Sequence, residues 1–280
     1  MSVVAVDRCL SLLETLAERP EGAALGELAE GLGQPPSAVH RMLATLAARG
    51  YVRQDPASHA YMFTLRLVSL GFRFLDFRHL PDAAQGVLDR LAARTGEYCR
   101  LALAEGDRLT WVARAQGARQ GLRYDPPMGR GVILHATATG KAWLATLARD
   151  EALRIVFARG FPVSIEEPDH VFGRNAATTI DALQAALRET RRRGYALAEE
   201  EGEPGTVAIA VGFHAGASAD GPALGTISVA GPIVRVTRPR YPEIAAALKE
   251  AGEDLAAIWP LRRRQARPLG VESAGPGRSE

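Results

Sequence analysis

The sequence predicts an α/β (α+β) chain of two domains. A small helical domain closed by a hairpin comes first, and a larger domain of antiparallel strands with helices packed on them follows. Three observations carry this. Helix, helix, turn, helix and hairpin follow one another in the first 64 residues. Pro81 marks a change of pattern. From there to about Pro260, runs of strand-like residues come with helices between and after them, the mark of an antiparallel sheet with packed helices.

Each element follows from local chemistry. Over residues 4–18, Val6, Leu10, Leu13, Leu16 and Ala17 recur at helical spacing, and Pro20 and Gly22 stop that helix. A second helix, about 25–32, sets Leu25, Leu28, Ala29 and Leu32 on one face and ends at Gly31 and Gly33. Pro35-Pro36 opens a third, about 37–48, because proline's missing N–H would be unpaired in a first turn anyway. Val39, Met42, Leu43 and Leu46 are its inner face, and Gly50 ends it. Tyr51-Val52-Arg53 and Tyr61-Met62-Phe63 read as strands around the turn formers Asp55, Pro56 and Ser58. Helix–turn–helix plus hairpin is the order of a winged helix-turn-helix. Residues 65–80 read as a linker helix with Leu67, Leu70, Phe74 and Phe77 along one side, ended by Pro81.

In residues 81–260, helices are expected at about 82–94, 137–148, 150–159, 179–193 and 241–258. Strands are expected at about 98–104, 109–114, 195–199, 206–213 and 224–230. The 179–193 helix turns Ile180, Leu183, Leu187 and Thr190 inward. It closes with Arg191-Arg192-Arg193-Gly194, bases and then glycine at the negative end of the helix dipole. Residues 261–280, rich in Gly, Pro and Ser, read as a disordered basic tail. Its run Arg262-Arg263-Arg264-Gln265-Ala266-Arg267 is read as solvated rather than as a DNA contact.

Composition excludes several classes. With 47% hydrophobic and 24% charged residues in 280, the chain reads as globular. No long uncharged apolar run suggests a membrane span, and the N-terminus lacks the basic region of a secretory signal. Cys9 and Cys99 are isolated, which gives neither a disulfide framework nor a metal site and suits the cytoplasm. No cofactor or metal is expected. The net charge of +2, with about as many acids as bases in the first 78 residues, leaves DNA binding to the placement of charges.

That placement centres on the start of the third helix, since a recognition helix presents polar and basic side chains there to the major groove. Ser37, Ala38, His40 and Arg41 point outward or sideways, and Thr45 lies one turn on. Arg41 suits a bidentate contact to guanine or a phosphate. Arg53 and His59 in the wing suit the backbone or minor groove. Two plainer readings stand beside these: Ser37 as a helix N-cap and Arg41 as an ordinary surface charge.

Enzyme readings fail on spacing. Gly140-Lys141 lacks the glycine five residues earlier and the following Ser or Thr of a phosphate-binding loop, with His135 and Ala142 there instead. Glu199-Glu200-Glu201 alternate faces on a strand and do not converge on one atom. His135 has no Ser or Cys placed as a nucleophile, and His170 and His214 lack metal-ligand spacing.

From about Val4 to Pro260 the chain resembles the IclR family of bacterial transcriptional regulators. Four ordered blocks carry the resemblance. The first is Leu25-Gly26-Glu27-Leu28-Ala29 through His40-Arg41-Met42-Leu43-Ala44-Thr45-Leu46, then Gly50-Tyr51-Val52. The second is Leu134-His135-Ala136-Thr137-Ala138-Thr139-Gly140-Lys141-Ala142. The third is Arg193-Gly194-Tyr195-Ala196 with Glu200-Glu201, Gly205 and Ile209-Ala210. The fourth is Ile227-Ser228-Val229-Ala230-Gly231-Pro232.

The resemblance implies a homodimer or homotetramer on a palindromic or near-palindromic double-stranded DNA operator. It also implies a GAF-like effector-binding domain that holds a small acidic metabolite, and a linker helix that helps to join subunits. Ala138 and Thr139 match two positions that hold the effector through the backbone. At four positions where members that bind small oxoacids carry Asp, Cys and two Ser, this chain has Ala198, Ala208, Ser228 and Ala230. Three polar groups replaced by alanine imply a roomier, less polar pocket for a larger organic acid, aromatic or branched. Arg123, Tyr124, Met128 and His135 are expected to border it, with Arg123 holding the carboxylate. The expected function is therefore a ligand-responsive transcriptional regulator, repressor or activator. The alternative is a metabolite sensor that acts through a protein partner.

Overall fold

A computed structural model of the chain describes residues 3–78, 80–126, 131–161, 166–167, 170–214 and 221–263. They form two compact units that divide between Phe77 and Arg78.

The first unit holds α1 (Val4–Ala17), α2 (Leu25–Gly31), α3 (Pro36–Ala48), the antiparallel hairpin β1 (Val52–Gln54) and β2 (Tyr61–Phe63), and most of α4 (Arg66–Arg78). Its core is Leu12, Leu16, Leu28, Val39, Leu43, Leu46, Val52 and Tyr61. The helical order and the inner face of α3 are as the periodicity predicts. Of the positions expected along α1, Leu16 meets the core and Val6 and Leu10 do not. Leu12 and Leu16 are buried, whereas Val6 and Leu10 are more than half exposed. Apolar residues run more than halfway round α1, and the side that meets the core is set by tertiary contacts rather than by spacing. In α4, Leu67, Val68, Leu70, Phe72 and Phe74 are all exposed.

The second unit is built on a five-stranded antiparallel sheet of order β4-β3-β9-β8-β7. Its strands are β3 (Tyr98–Glu105), β4 (Arg108–Gln116), β7 (Ala196–Glu199), β8 (Thr206–Phe213) and β9 (Gly225–Pro232). Alternation gives the sheet two faces. One carries Cys99, Leu101, Val207, Ile209, Val211, Ile227 and Val229. These pack beneath α5 (Leu80–Thr95) and α9 (Tyr241–Arg263), which contribute Leu88, Leu91, Ile244, Leu248 and Leu255 to one apolar core. The other face meets α6 (Ala138–Leu144), with α7 (Arg149–Ala158) and α8 (Ile180–Arg193) beyond it. Small side chains line that contact: Ala138 and Ala142 of α6 pack against Ala196, Ala198 and Ala210.

Several details refine the expectations. Gly194 caps α8 with φ 74°, the left-handed conformation that glycine adopts without strain. Pro81 falls in the first turn of α5. A short hairpin, β5 (Glu166–Glu167) with β6 (His170–Val171), was not anticipated. The last helix continues through Pro260 to Arg263, so Arg262 and Arg263, expected in the disordered tail, are helical. The rest of the basic tail lies outside the described residues. No helix among the described residues is long and apolar enough to cross a membrane. Within those residues no His/Cys/Asp/Glu group has the arrangement of a metal site.

Candidate functional site

In the first unit the packing of α3 decides which side chains are free. Val39, Leu43 and Leu46 are buried. Ser37, His40, Arg41 and Thr45 are therefore exposed on the outer side, and Ala38 is half-buried. The N-cap of α3 is Pro35, which no side chain caps. Ser37 is thus inside the first turn and not the N-cap, which corrects that reading. The Thr45 hydroxyl donates to the Arg41 carbonyl at 2.9 Å, which fixes its rotamer. Among the described ion pairs none uses Arg41, Arg49 or Arg53.

The wing is tightly built. Asp55 accepts from the Ser58 amide (2.8 Å) and the Ser58 hydroxyl (2.7 Å). These two bonds, the amide first, hold its carboxyl below its ordinary value of 3.8. His59 sits at the tip with φ 57°, its amide bonded to the Asp55 carbonyl at 2.9 Å. Arg53 is exposed on β1.

In the second unit the sheet face opposite α5 and α9 borders a cavity of about 110 Å³. The strand register explains its lining. Ala198 pairs with Ala208, and Ser228 lies between Ala210 and Arg100, so these side chains share one face. A β-bulge between Leu101 and Ala102 then shifts the pairing so that Ala102 opposes Trp111 instead of Val112. One extra residue turns the following side chains over, which sets Trp111 on the cavity face beside Arg100.

Across the cavity lies the start of α6. Thr137 caps it, accepting from the Gly140 amide at 3.0 Å and donating to the Ile133 carbonyl at 2.7 Å. Gly140 permits this close turn, since a Cβ there would lie 2.3 Å from the Leu134 carbonyl oxygen. Lys141 is almost wholly buried and bonds Glu201 (2.5 and 2.6 Å) and the Leu197 carbonyl (2.5 Å). Burial lowers the Lys141 ammonium and raises the Glu201 carboxyl from their ordinary values. This lysine is a structural tie and not a phosphate ligand. The three consecutive acids separate: Glu199 bonds Arg238 and Tyr241, Glu200 bonds Arg174, and Glu201 takes Lys141. Their divergence comes from the end of β7 at Glu199 and a left-handed Glu200 (φ 51°), not from strand alternation.

Of the expected effector residues, Ala138, Thr139, Ala198, Ala208 and Ser228 line the cavity. Ala230 is buried in the sheet beside Ala208 without lining it. Three expectations are corrected or fall away. Arg123 is exposed and outside the lining, because its loop turns the side chain to solvent. His135 is buried against Phe161 and Phe172, with ring centroids 5.2 and 5.3 Å away, and is likewise outside it. Met128 lies outside the described residues. Among the described residues the cation that lines the cavity is Arg100, with Trp111, Tyr124 and Glu203. Sequence reasoning missed Arg100 and Trp111. Their signal was a charge and an indole on strands otherwise rich in small apolar residues.

Comparison with known proteins covers both units. Residues 5–56 match the model of the IclR helix-turn-helix domain, and residues 72–257 match that of the bacterial transcriptional regulator IclR C-terminal domain. The chain is 34% identical over 254 residues to the HTH-type transcriptional regulator BhcR of Paracoccus denitrificans, covering 90% of this chain and 86% of that one. It superposes on an IclR transcriptional regulator from Alicyclobacillus acidocaldarius with a TM-score of 0.73 at 24% identity, over 92% of this chain and 100% of that one. It also superposes on an IclR homologue from Microbacterium hydrocarbonoxydans complexed with 4-hydroxybenzoate, with a TM-score of 0.72 at 20% identity, over 92% and 99%. At these identities the two solved structures show the fold.

Proposed function

The chain belongs to the IclR family of bacterial transcriptional regulators, and from that premise we propose that a small organic acid switches its hold on a palindromic or near-palindromic operator. It is a DNA-binding transcriptional regulator with an effector-binding domain. In this reading residues 1–64 read DNA, 65–80 link, and 81–260 sense the ligand. The protein works in the cytoplasm as a homodimer or homotetramer.

One observation carries the DNA-reading role. The apolar side of α3 is used up in the core, while Ser37, His40, Arg41 and Thr45 stand exposed on the other side with Arg41 outside every described ion pair. Self-association is supported by the exposed Val4, Val6 and Leu10 of α1 and Leu67, Leu70 and Phe74 of α4, apolar surface that a partner copy would cover. Alanine at positions 198 and 208, both in the cavity lining, supports a larger, less polar effector. The effector switches DNA binding only if it has unequal affinity for two arrangements of the assembly. The linker then sets the spacing of two recognition helices, and half-sites about one helical turn apart fit one spacing. The alternative of a sensor acting only through a protein partner gains no support from relatives named as regulators of the helix-turn-helix type.

The test is selection of a random duplex library by the purified protein at two salt concentrations. Enrichment of a sequence with two related half-sites is expected. Binding without sequence preference that vanishes at the higher salt, with and without candidate acids, sinks the reading.

A further inference from the structure

Arg100 is a half-buried cation for which the described residues supply no ion pair. Its guanidinium carbon lies 3.7 Å from the Trp111 ring centroid and 5.5 Å from that of Tyr98. Its Nε is buried without a hydrogen-bond partner. Tyr124 hydrogen-bonds it, and Glu203 attracts it without forming a described ion pair. Burial lowers its affinity for a proton, although arginine stays charged. Tyr124, half-buried beside it, is pushed up to about 12 by desolvation and stays a neutral phenol. Placing an unpaired charge in a cavity is costly unless something completes it, and among the described residues the acid of the lining, Glu203, attracts Arg100 without forming an ion pair with it. An anionic ligand is the remaining partner.

The stacking fixes how that ligand approaches. A guanidinium 3.7 Å over an indole has one side taken by the ring, and its N–H donors lie in its own plane. A carboxylate matches that edge with two parallel hydrogen bonds. Small apolar side chains such as Val132, Ile133, Ala138, Ala198 and Ala208 make up much of the remaining wall, with hydroxyls from Thr139 and Ser228. The space, about 110 Å³, is of the order of the ~150 Å³ engineered cavity that accepts benzene. The other charged side chain in the described lining is the acidic Glu203, which opposes a second negative charge.

We propose that Arg100, stacked on Trp111, anchors the carboxylate of a flat monocarboxylic acid, with Glu203 selecting against dicarboxylates. The inference rests on the effector-binding reading of this unit.

The full chain is titrated calorimetrically, and its thermal unfolding followed, with benzoate, 4-hydroxybenzoate, phenylacetate and cinnamate. Each acid is run against its primary amide, and terephthalate represents the dianions. At least one monocarboxylate is expected to bind. Its amide, of the same shape without the charge, should bind more weakly by on the order of ten- to a hundredfold, and terephthalate should bind more weakly than benzoate. Arg100→Gln should lose a similar factor, and Arg100→Lys should recover part of it, because it restores charge without the fork. Ligand-free unfolding of Arg100→Gln separates loss of the anchor from loss of the fold, while the wild-type acid–amide comparison needs no variant. Amides that bind as well as acids, no binding by any acid, or an Arg100→Gln protein that folds and binds like wild type would each overturn the proposal. Acid binding that leaves operator affinity unchanged would instead overturn the ligand-switch reading and leave the anchor standing.

Discussion

The two units use the same amino acids in opposite ways. In the first, the side chains proposed to read DNA are those the core rejects: α3 buries Val39, Leu43 and Leu46, and Arg41 is left facing outward. In the second, the side chains proposed to hold the ligand are partly enclosed: Arg100 and Trp111 are half-buried and line a cavity. An exposed site tolerates substitution thermodynamically and fails in function. An enclosed site couples function to folding, because each polar group it holds needs a partner.

The buried Lys141–Glu201 tie is where this contrast should be largest. Replacing Lys141 by Met leaves a buried carboxylate unpaired, at a cost of about 3–5 kcal/mol. Calorimetry of the full chain should show the loss in the transition of the second unit, with the first unit unchanged. Adding Glu201→Leu should restore most of it, since an apolar pair of similar volume often matches a buried ion pair. The single variant also carries a pH signature. A carboxyl whose folded value is raised contributes stability at low pH and loses it as pH rises through that value. Lys141→Met should therefore be less destabilised at pH 5 than at pH 8. Equal loss at both, or no rescue by the second change, would show that the pair is not what ties α6 to the loop after β7.

Arg41→Ala should give the complementary result in the first unit. Stability is expected to stay within about 0.5 kcal/mol of wild type, as for ordinary surface changes. Operator affinity should fall by about 1–3 kcal/mol for each half-site in which Arg41 grips a base. Binding to random DNA should change far less. A titration on specific and scrambled duplexes checks it. Equal losses on both duplexes would make Arg41 a phosphate contact rather than a reader.

The same contrast explains what the sequence reveals. The order of helices and strands follows from periodicity, proline and glycine, all local signals. So does the outer face of α3, because one turn of helix determines which residues share a side. The cavity depends on pairings between residues more than a hundred positions apart, such as Arg100 with Ser228. It depends further on a single-residue bulge that turns Trp111 inward. Neither leaves a local trace, so Arg123 in a nearby loop looked like the anchor, whereas the strand residue Arg100 lines the cavity. The buried side of α1 was hidden for the opposite reason: its apolar residues are too many for spacing to choose among them.

The wing offers the smallest effect and the finest test of how an exposed site is kept in shape. Asp55 touches no DNA in this scheme. It pins the turn that carries His59 and follows Arg53 by accepting both bonds from Ser58. Asp55→Ala should free that tip while α3 keeps its reading face. Sequence preference should persist, and the salt dependence of operator binding should weaken by up to about one phosphate contact per subunit, a slope change near 0.9. The protonation of Asp55 makes the same point without mutation. Because its folded value is lowered below 3.8, its contribution to the turn is present above that ordinary value and fades as pH falls through the lowered one. The Ser58 amide resonance should report that step in a pH titration by NMR, and Asp55→Ala should abolish it. A Ser58 amide that shifts with the ordinary carboxylate value would mean the turn is held by the hairpin alone, and Arg53 and His59 would then owe their placement to β1–β2 pairing rather than to Asp55.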